Sequence, residues 1–413
     1  MRVLQINKFL YGKGGAETVM FRTAELLRAH DHDVSFFGMQ SDLNVPSEEA
    51  KYFPRGRYYG SEQRLVRRAL DAGASIYSMS ARRSLGRLLA DRAPDVAHLH
   101  NVYHQLTLSI LDELHARHVP IVMTLHDYKP VCPSYLTYVD DKPCHRCVGS
   151  HPGHALVHRC IKGSRAASMI AVTEAILVRA RHLYDRVDAF ISPSHHLANL
   201  MVEGGLPRDR IHVIPNFIAD EQFRQGEPPS QDGRPTVLFV GRLEEVKGIR
   251  VLLEAARAVS SDLDVVVVGS GPLESEVEAA ANEGVVRYLG RREWDEIAGL
   301  MDRARATVVP SLWEENCPMV VLEAGARGCP VIAADRGGLI ELVDEGEDGF
   351  LFTAGDPQDL AATLRRVAGD PSLSARLGKS RHARTLAHNT AAAHLPALLD
   401  TYERAARSAS ARA

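Results

Sequence analysis

Residues 236–259 read TVLFVGRLEEVKGIRVLLEAARAV. A short apolar run ending on Gly241 passes through a charged turn and into a helical pattern, GIRVLLEAARAV, which is the signature of a strand feeding a helix. The same grammar continues in DVVVVG at 264–269, VRYLG at 286–290, TVVP at 307–310 and PVIAA at 330–334. An earlier series has it too: VLQI at 3–6, VAHLH at 96–100, IVMTLH at 121–126 and AFIS at 189–192. Apolar runs alternating with longer helical stretches predict an α/β fold with parallel sheets. A chain of 413 residues exceeds what one core usually organises, and the two series predict two domains. The Pro, Gly and polar stretch between them marks a linker. The expected organisation is 1–215, a hinge over 216–235, and 236–413, with the C-terminal helix packing back on the first domain.

Composition narrows the setting. With 45% hydrophobic and 24% charged residues, the chain has the balance of a soluble globular protein, and no run approaches the ~20 apolar residues that span a bilayer. A strand read directly from Met1, without the zones of a secretory signal, predicts a cytoplasmic, reducing location. The net charge of −3 hides an asymmetry: residues 1–215 carry 27 Lys and Arg against 21 Asp and Glu, and the remainder 22 against 31. The excess concentrates in 51–92, where Arg64, Arg67, Arg68, Arg82, Arg83 and Arg87 stand among Leu65, Leu70, Ile76, Tyr77 and Met79. Such a segment is either a solvated helical face or a peripheral contact with an anionic membrane. No nucleic-acid partner is expected.

Ligands of open parallel sheets collect where the chain leaves the carboxyl ends of strands. There the sequence places Gly14 and Gly15, Gly241 with Arg242, and Gly269 to Gly271. Arg242 and Lys247, together with free amides at a helix start, suit a pyrophosphate; the plainer alternative is a solvated basic pair. In SLWEENCPMVVLEAGARG at 311–328, Pro318 suits the first helical position and Gly328 the helix end. That puts Glu315 in the preceding loop and Glu323 within the helix, with Glu314 as a competing exposed acid. Carboxylates accept paired hydrogen bonds from vicinal hydroxyls, so two on one rim suit a nucleotide sugar. Glu323 is otherwise a partnered buried acid.

Arg242, Lys247, and Glu315 eight positions before Glu323 resemble the donor-site signature of family 4 glycosyltransferases, of the GT-B fold. GGAE at 14–17, TLHD at 124–127, ISPS at 191–194, IPNFI at 214–218, GSGP at 269–272, RYLG at 287–290 and RGG at 336–338 follow in the family's order. The resemblance covers residue 1 to about residue 360. It implies two Rossmann-like domains facing each other across an interdomain cleft, the acceptor on the first and the nucleotide-sugar donor on the second. It further implies hexosyl transfer with retention of configuration, in bacterial-type polysaccharide or glycoconjugate biosynthesis. By the same resemblance Gly14, Gly15, Gly241, Arg242 and Lys247 bind the donor diphosphate, Glu323 binds the ribose and Glu315 touches the sugar. The base lies around Arg287, Tyr288 and Leu289. Where the family has EGFG, this chain reads Glu315, Asn316, Cys317, Pro318, which changes the loop beside the sugar.

His126 ends a strand next to Asp127, suiting it to a hydrogen bond with a sugar or attacking hydroxyl while Asp127 fixes its tautomer or the local turn. Departure of a nucleoside diphosphate develops negative charge that cations and amides stabilise, so catalysis requires no metal or other cofactor. The triplets Asp31 to Asp33 and Asp262 to Asp264 imitate a metal-binding motif but stand at turns. Cys132, Cys144, Cys147 and Cys160 cluster in sequence, with His145, His151, His154 and His158 nearby. They suit a structural zinc, unmetallated thiols or a redox pair. Beside a glycosyltransferase acting on a glycan or lipid-linked glycan stand three other readings: a non-catalytic nucleotide-sugar or glycan binder, a GT-B sugar-nucleotide epimerase, and a metal-organised scaffold.

Overall fold

The computed structural model describes residues 1–56, 73–226 and 233–412. They form two compact units, one of Met1–Thr137, His145–Ile214 and Leu395–Ala413, the other of Tyr138–Cys144 and Pro215–His394. In the first, β1 (Arg2–Ile6), β2 (Asp33–Phe37), β3 (Val96–Leu99), β4 (Ile121–Thr124), β7 (Ala189–Ser192) and β8 (Ile211–Val213) form a parallel sheet of order β2-β1-β3-β4-β7-β8. The intervening β5 (Tyr138–Val139) and β6 (Lys142–Pro143) make a two-stranded hairpin counted with the second unit. There β9 (Thr236–Val240), β10 (Asp264–Val268), β11 (Arg287–Tyr288), β12 (Ala306–Val309), β13 (Val331–Ala334) and β14 (Gly349–Phe352) are parallel in the order β11-β10-β9-β12-β13-β14.

Each sequence run read as a strand coincides with one of these. Three edge strands, β2, β8 and β14, escaped that reading; edge positions need less of the two-sided burial that makes a run continuously apolar. The central strands show that burial: every residue of β3, β4, β7, β12 and β13 is buried. In both sheets the strand order reverses beside the first strand of the unit, at β1/β3 and at β9/β12. Adjacent crossovers leave to opposite faces there, so the loops part and open a crevice at the strands' carboxyl ends.

Local chemistry aims the elements. The helix Ile249–Val259 begins at Gly248 and buries Ile249, Leu252, Leu253, Ala256 and Val259, the spacing of one helical face. Gly328, at φ 67°, ends the helix Met319–Arg327, while Pro318 stands at its N-cap, one residue ahead of the expected first turn. That helix is anchored from behind. Arg381 and Asp348, both side chains 2% exposed, pair at 3.0 Å, Arg384 reaches the same carboxylate oxygen at 2.9 Å, and Arg381 Nη2 donates to the Val321 carbonyl at 3.2 Å. A carboxylate shared by two guanidiniums suffers little net penalty from burial, whereas one guanidinium left without it suffers heavily. Asp348→Ala is therefore expected to lower unfolding free energy by about 3–5 kcal/mol, read from the urea midpoint, and Asp348→Glu by clearly less.

Candidate functional site

The second unit gathers its polar groups at the β9/β12 reversal. After β9 the chain turns at Gly241, and Gly269, at φ 142°, lies so close that an added Cβ would fall 1.8 Å from the Gly241 carbonyl oxygen. Gly248, at φ 71°, holds the end of the same loop, where a Cβ would fall 1.8 Å from the Pro310 carbonyl oxygen. These approaches exclude any side chain; the first brings the loop after β10, and the second the loop after β12, against the loop after β9. The Leu312 amide donates to the Val246 carbonyl at 2.9 Å, and the Gly338 amide to the Glu315 carbonyl at 2.6 Å.

Within that frame Lys247 Nζ donates to Glu315 Oε1 at 2.6 Å, and Ser311 Oγ donates to the same oxygen at 2.6 Å. Glu315 is 4% exposed. Burial pushes its carboxyl pKa up, but Lys247 and the Ser311 hydroxyl outweigh this and hold it below the usual carboxylate range. Lys247 Nζ also stands 5.4 Å from the Trp313 ring centroid. Lys247 and Glu315, 68 residues apart, thus form one charge-paired unit. Arg242 is not part of it: its guanidinium turns to Glu244 and is largely exposed. Glu323 is half-buried on the helix Met319–Arg327. Glu314, read as an exposed acid, is buried, because the loop before that helix folds inward beneath Gly337 and Gly338. Of the residues assigned to a base, Arg287 is exposed, whereas Tyr288 and Leu289 are half-buried. The Tyr288 hydroxyl donates within the group formed by the Gly269 carbonyl, at 2.9 Å, and Glu274 Oε1, at 2.7 Å.

The first unit has its own cluster at the β1/β3 reversal. Gly14, extended in backbone, caps the helix Gly15–Ala29, and Glu17 in its first turn accepts from Asn7 Nδ2 at 3.0 Å. His126 and Asp127 follow β4, both half-buried. His126 Nε2 lies 2.9 Å from His100 Nδ1, a contact absent from the sequence reading. Burial lowers the His126 imidazole to about 4, with Lys8 acting in the same sense. The ring is neutral at physiological pH. Burial raises Asp127, against the Lys129 amide that donates to Oδ1 at 2.9 Å and the charges of Lys8 and Lys129. So Asp127 fixes the turn into Lys129 and not the His126 ring contact with His100. Lys129 Nζ in turn pairs with the buried Glu174 at 2.8 Å. Lys8, His100, Lys129 and Glu174 went unread because nothing in their spacing sets them apart, although His100 does end the run VAHLH one residue past a strand.

None of the four cysteines expected as a zinc set is in a disulfide. Cys132 Sγ contacts Ser134 Oγ at 3.2 Å, Cys147 packs in an apolar cluster with Ala155, Val172 and Cys160, and Cys144 belongs to the other compact unit. Among the described residues no group of three or more His, Cys, Asp or Glu side chains is placed to hold a metal ion. The Asp-x-Asp triplets lead from turns into strands, Asp33 opening β2 and Asp264 opening β10, and their acids are in ion pairs: Asp262 with Arg365, Asp264 with Arg234, Asp33 with Arg92. In the basic segment, Arg57, Arg64, Arg67, Arg68, Leu65 and Leu70 lie outside the described residues. Arg82 pairs with Glu113 and Arg92 with Asp33 and Glu49, while Arg83 and Arg87 stand exposed on the helix Met79–Asp91. No helix among the described residues is long and apolar enough to cross a membrane.

Removing Lys247 strands a buried carboxylate, so its effect on folding is separable from any effect on ligand. Lys247→Met is expected to lower stability by about 3 kcal/mol, and Lys247→Met combined with Glu315→Gln by less than the sum of the two single changes. Urea titrations of the four proteins measure the coupling, and additive losses would contradict the pairing.

Residues 13–222 match the family model described as Glycosyltransferase Family 4, and residues 220–384 the one described as Glycosyl transferases group 1. The chain is 30% identical over 275 residues to a D-inositol 3-phosphate glycosyltransferase of Corynebacterium glutamicum, covering 60% of this chain and 65% of that protein. It is also 30% identical over 180 residues to the amylovoran biosynthesis glycosyltransferase AmsK of Erwinia amylovora, covering 41% and 44%. The matched stretches thus span less than two thirds of these relatives' length. Among solved structures, sucrose-phosphate synthase from Thermosynechococcus elongatus superposes with a TM-score of 0.72 at 20% identity, over 98% of each chain. Anabaena HepE in complex with UDP and glucose superposes at 0.64 and 20% identity, over 98% of this chain and 99% of that one. At such identity the likeness is one of fold.

Proposed function

The chain belongs to glycosyltransferase family 4, and from that premise we propose that it moves a hexosyl unit from a UDP- or GDP-linked sugar to a glycan or lipid-linked glycan, with retention, in polysaccharide or glycoconjugate biosynthesis. The observation that carries this reading is the pairing of part-exposed Lys247 with buried Glu315 at the strand reversal of the second unit. An anion arriving there meets an ammonium already held in place by Glu315, with the amides that open the helix Ile249–Val259 close in sequence. Exposed Arg242 is free to swing from Glu244 to the same diphosphate. As the sugar–phosphate bond breaks, charge accumulating on the leaving diphosphate falls to these groups, and the reading invokes no metal ion. Glu323 takes the ribose hydroxyls, and Glu315, its Oε1 held by Lys247 and Ser311, meets a sugar hydroxyl. Tyr288 and Leu289 flank the base.

In the first unit, neutral His126 serves a sugar hydroxyl as a hydrogen-bonding partner. Being uncharged, it orients the hydroxyl without adding a competing cation. HepE is described in complexes with UDP, with UDP and glucose, and with UDP-glucose, which supports UDP-glucose as the first donor to try. A cytoplasmic enzyme taking a lipid-linked acceptor would work at an anionic surface, and the exposed Arg83 and Arg87 suit that contact.

A thermal-shift screen over UDP- and GDP-sugars is expected to single out one base, because stabilisation grows with ligand concentration over Kd. Glu323→Gln, which keeps the shape of the side chain, and Arg242→Ala, at an exposed guanidinium, should each cut kcat/KM for that donor about tenfold or more while the unliganded Tm stays within ~2 °C. Wild-type kinetics in both would remove the donor assignment. Binding to anionic but not neutral vesicles at low salt, abolished by Arg83→Glu with Arg87→Glu, is the outcome expected of a membrane-borne acceptor; recovery in the supernatant with both vesicle types favours a soluble one.

A further inference from the structure

The run IPNFI at 214–218 contributes no group to the donor chemistry, yet its Asn216 is buried. Asn216 Nδ2 donates to the Cys317 carbonyl at 3.1 Å, across 101 residues of chain. Burial pushes the Cys317 thiol up to about 11, while hydrogen bonds from the Asn216 backbone and side chain act in the other sense. One residue thus faces both the carbonyl and the thiol of Cys317. Asn216 is itself held: Asn389 Nδ2 donates to its carbonyl at 3.0 Å, the Ile218 amide donates to the Asn389 carbonyl at 2.8 Å, and His394 Nδ1 donates to the Pro215 carbonyl at 3.0 Å. All of these residues belong to the second unit.

The Cys317 carbonyl needs such a donor for a local reason. Pro318 is the N-cap of the helix Met319–Arg327, so the helical bonds begin with the Pro318 carbonyl, which receives the Val321 amide at 3.1 Å. The carbonyl one residue earlier lies outside the helix, in a residue that is buried, and a buried carbonyl left unpaired is costly. A carbonyl only accepts, so the Asn216 amide nitrogen is the atom that faces it. Two residues before, the Glu315 carbonyl receives the Gly338 amide at 2.6 Å. The backbone that carries Glu315 is therefore tied at two points, at its own carbonyl by Gly338 and at the Cys317 carbonyl by Asn216. We propose that Asn216 is the positioning residue for Glu315, holding the turn 315–318 so that the carboxylate paired with Lys247 stays at the sugar end of the donor. The proposal rests on the reading that Glu315 meets a hydroxyl of the donor sugar.

Asn216→Leu keeps the branched shape without the donor, and Asn216→Ala removes both. Thiol alkylation of the native, unliganded protein, read cysteine by cysteine from peptide masses, is expected to modify Cys317 about tenfold faster or more in each variant than in wild type. Cys329 is the internal control. It is buried just past the end of the same helix, its thiol pushed up to about 12 by burial, and it should keep its wild-type rate because the loosening is local. Calorimetric titration with UDP and with UDP-glucose then isolates the sugar end: affinity for UDP-glucose should fall about fivefold or more in both variants, and affinity for UDP should stay within about twofold. Cys317 protected as in wild type in both variants overturns the proposal. So does a tie that is only structural, seen as Cys317 and Cys329 quickening together or as UDP and UDP-glucose weakening equally. If wild type binds neither ligand, the UDP-glucose reading fails by itself and the alkylation rates decide whether Asn216 holds the turn.

Discussion

A carboxylate withdrawn from water as far as Glu315 survives only with a charge beside it, and the second unit is arranged around meeting that demand. The partner, Lys247, comes from the turn after β9, while Glu315 comes from the loop after β12. Those strands are neighbours in the sheet, Ala306 opposite Val237 and Thr307 opposite Leu238, so their exits emerge side by side. The glycines at 248 and 269 then follow as a requirement, because the loops close to carbonyl contact. Even the buried Arg381–Asp348 pair serves this geometry by holding the carbonyl side of the helix that starts just beyond Glu315. A cation fixed by a carboxylate at a helix-opening turn does not have to reorganise when an anion approaches it.

The first unit solves a related problem without charge. At its own strand reversal Gln5, His100 and His126 pass hydrogen bonds from one to the next, and burial keeps both rings neutral. Nearby, the charges of Lys129 and Glu174 are paired with each other. The two reversals therefore carry different chemistry on similar sheets, one an ion pair and the other hydrogen bonds between uncharged side chains.

The cysteine-rich stretch shows how a sequence cluster and a spatial cluster differ. Thiols with two to twelve residues between them suggested one tetrahedral centre, yet Cys147 and Cys160 pack with Ala155 and Val172 as small apolar residues, and Cys132 contacts Ser134. Between Cys132 and Cys144 the chain turns repeatedly, with Tyr135, Thr137, Asp140 and Asp141 at positive φ.

Sequence alone determined the sheets and marked the polar residues at their strand exits, for a physical reason. Strands buried on both faces must be apolar throughout, and loops that approach an anion must be glycine-rich with cations close in the chain, so both leave marks readable within a few residues. TVLFVG with Lys247, and Glu315 ahead of the helix that carries Glu323, are local patterns of this kind. Tertiary structure decided what depends on partners remote in the chain. It closed Lys247 onto Glu315, turned Arg242 away to Glu244, buried Glu314, and brought Gln5, His100 and His126 into line across three strands. Histidine at a strand end looks the same whether it faces water or another ring; only the sheet order β1-β3-β4 places those three side by side.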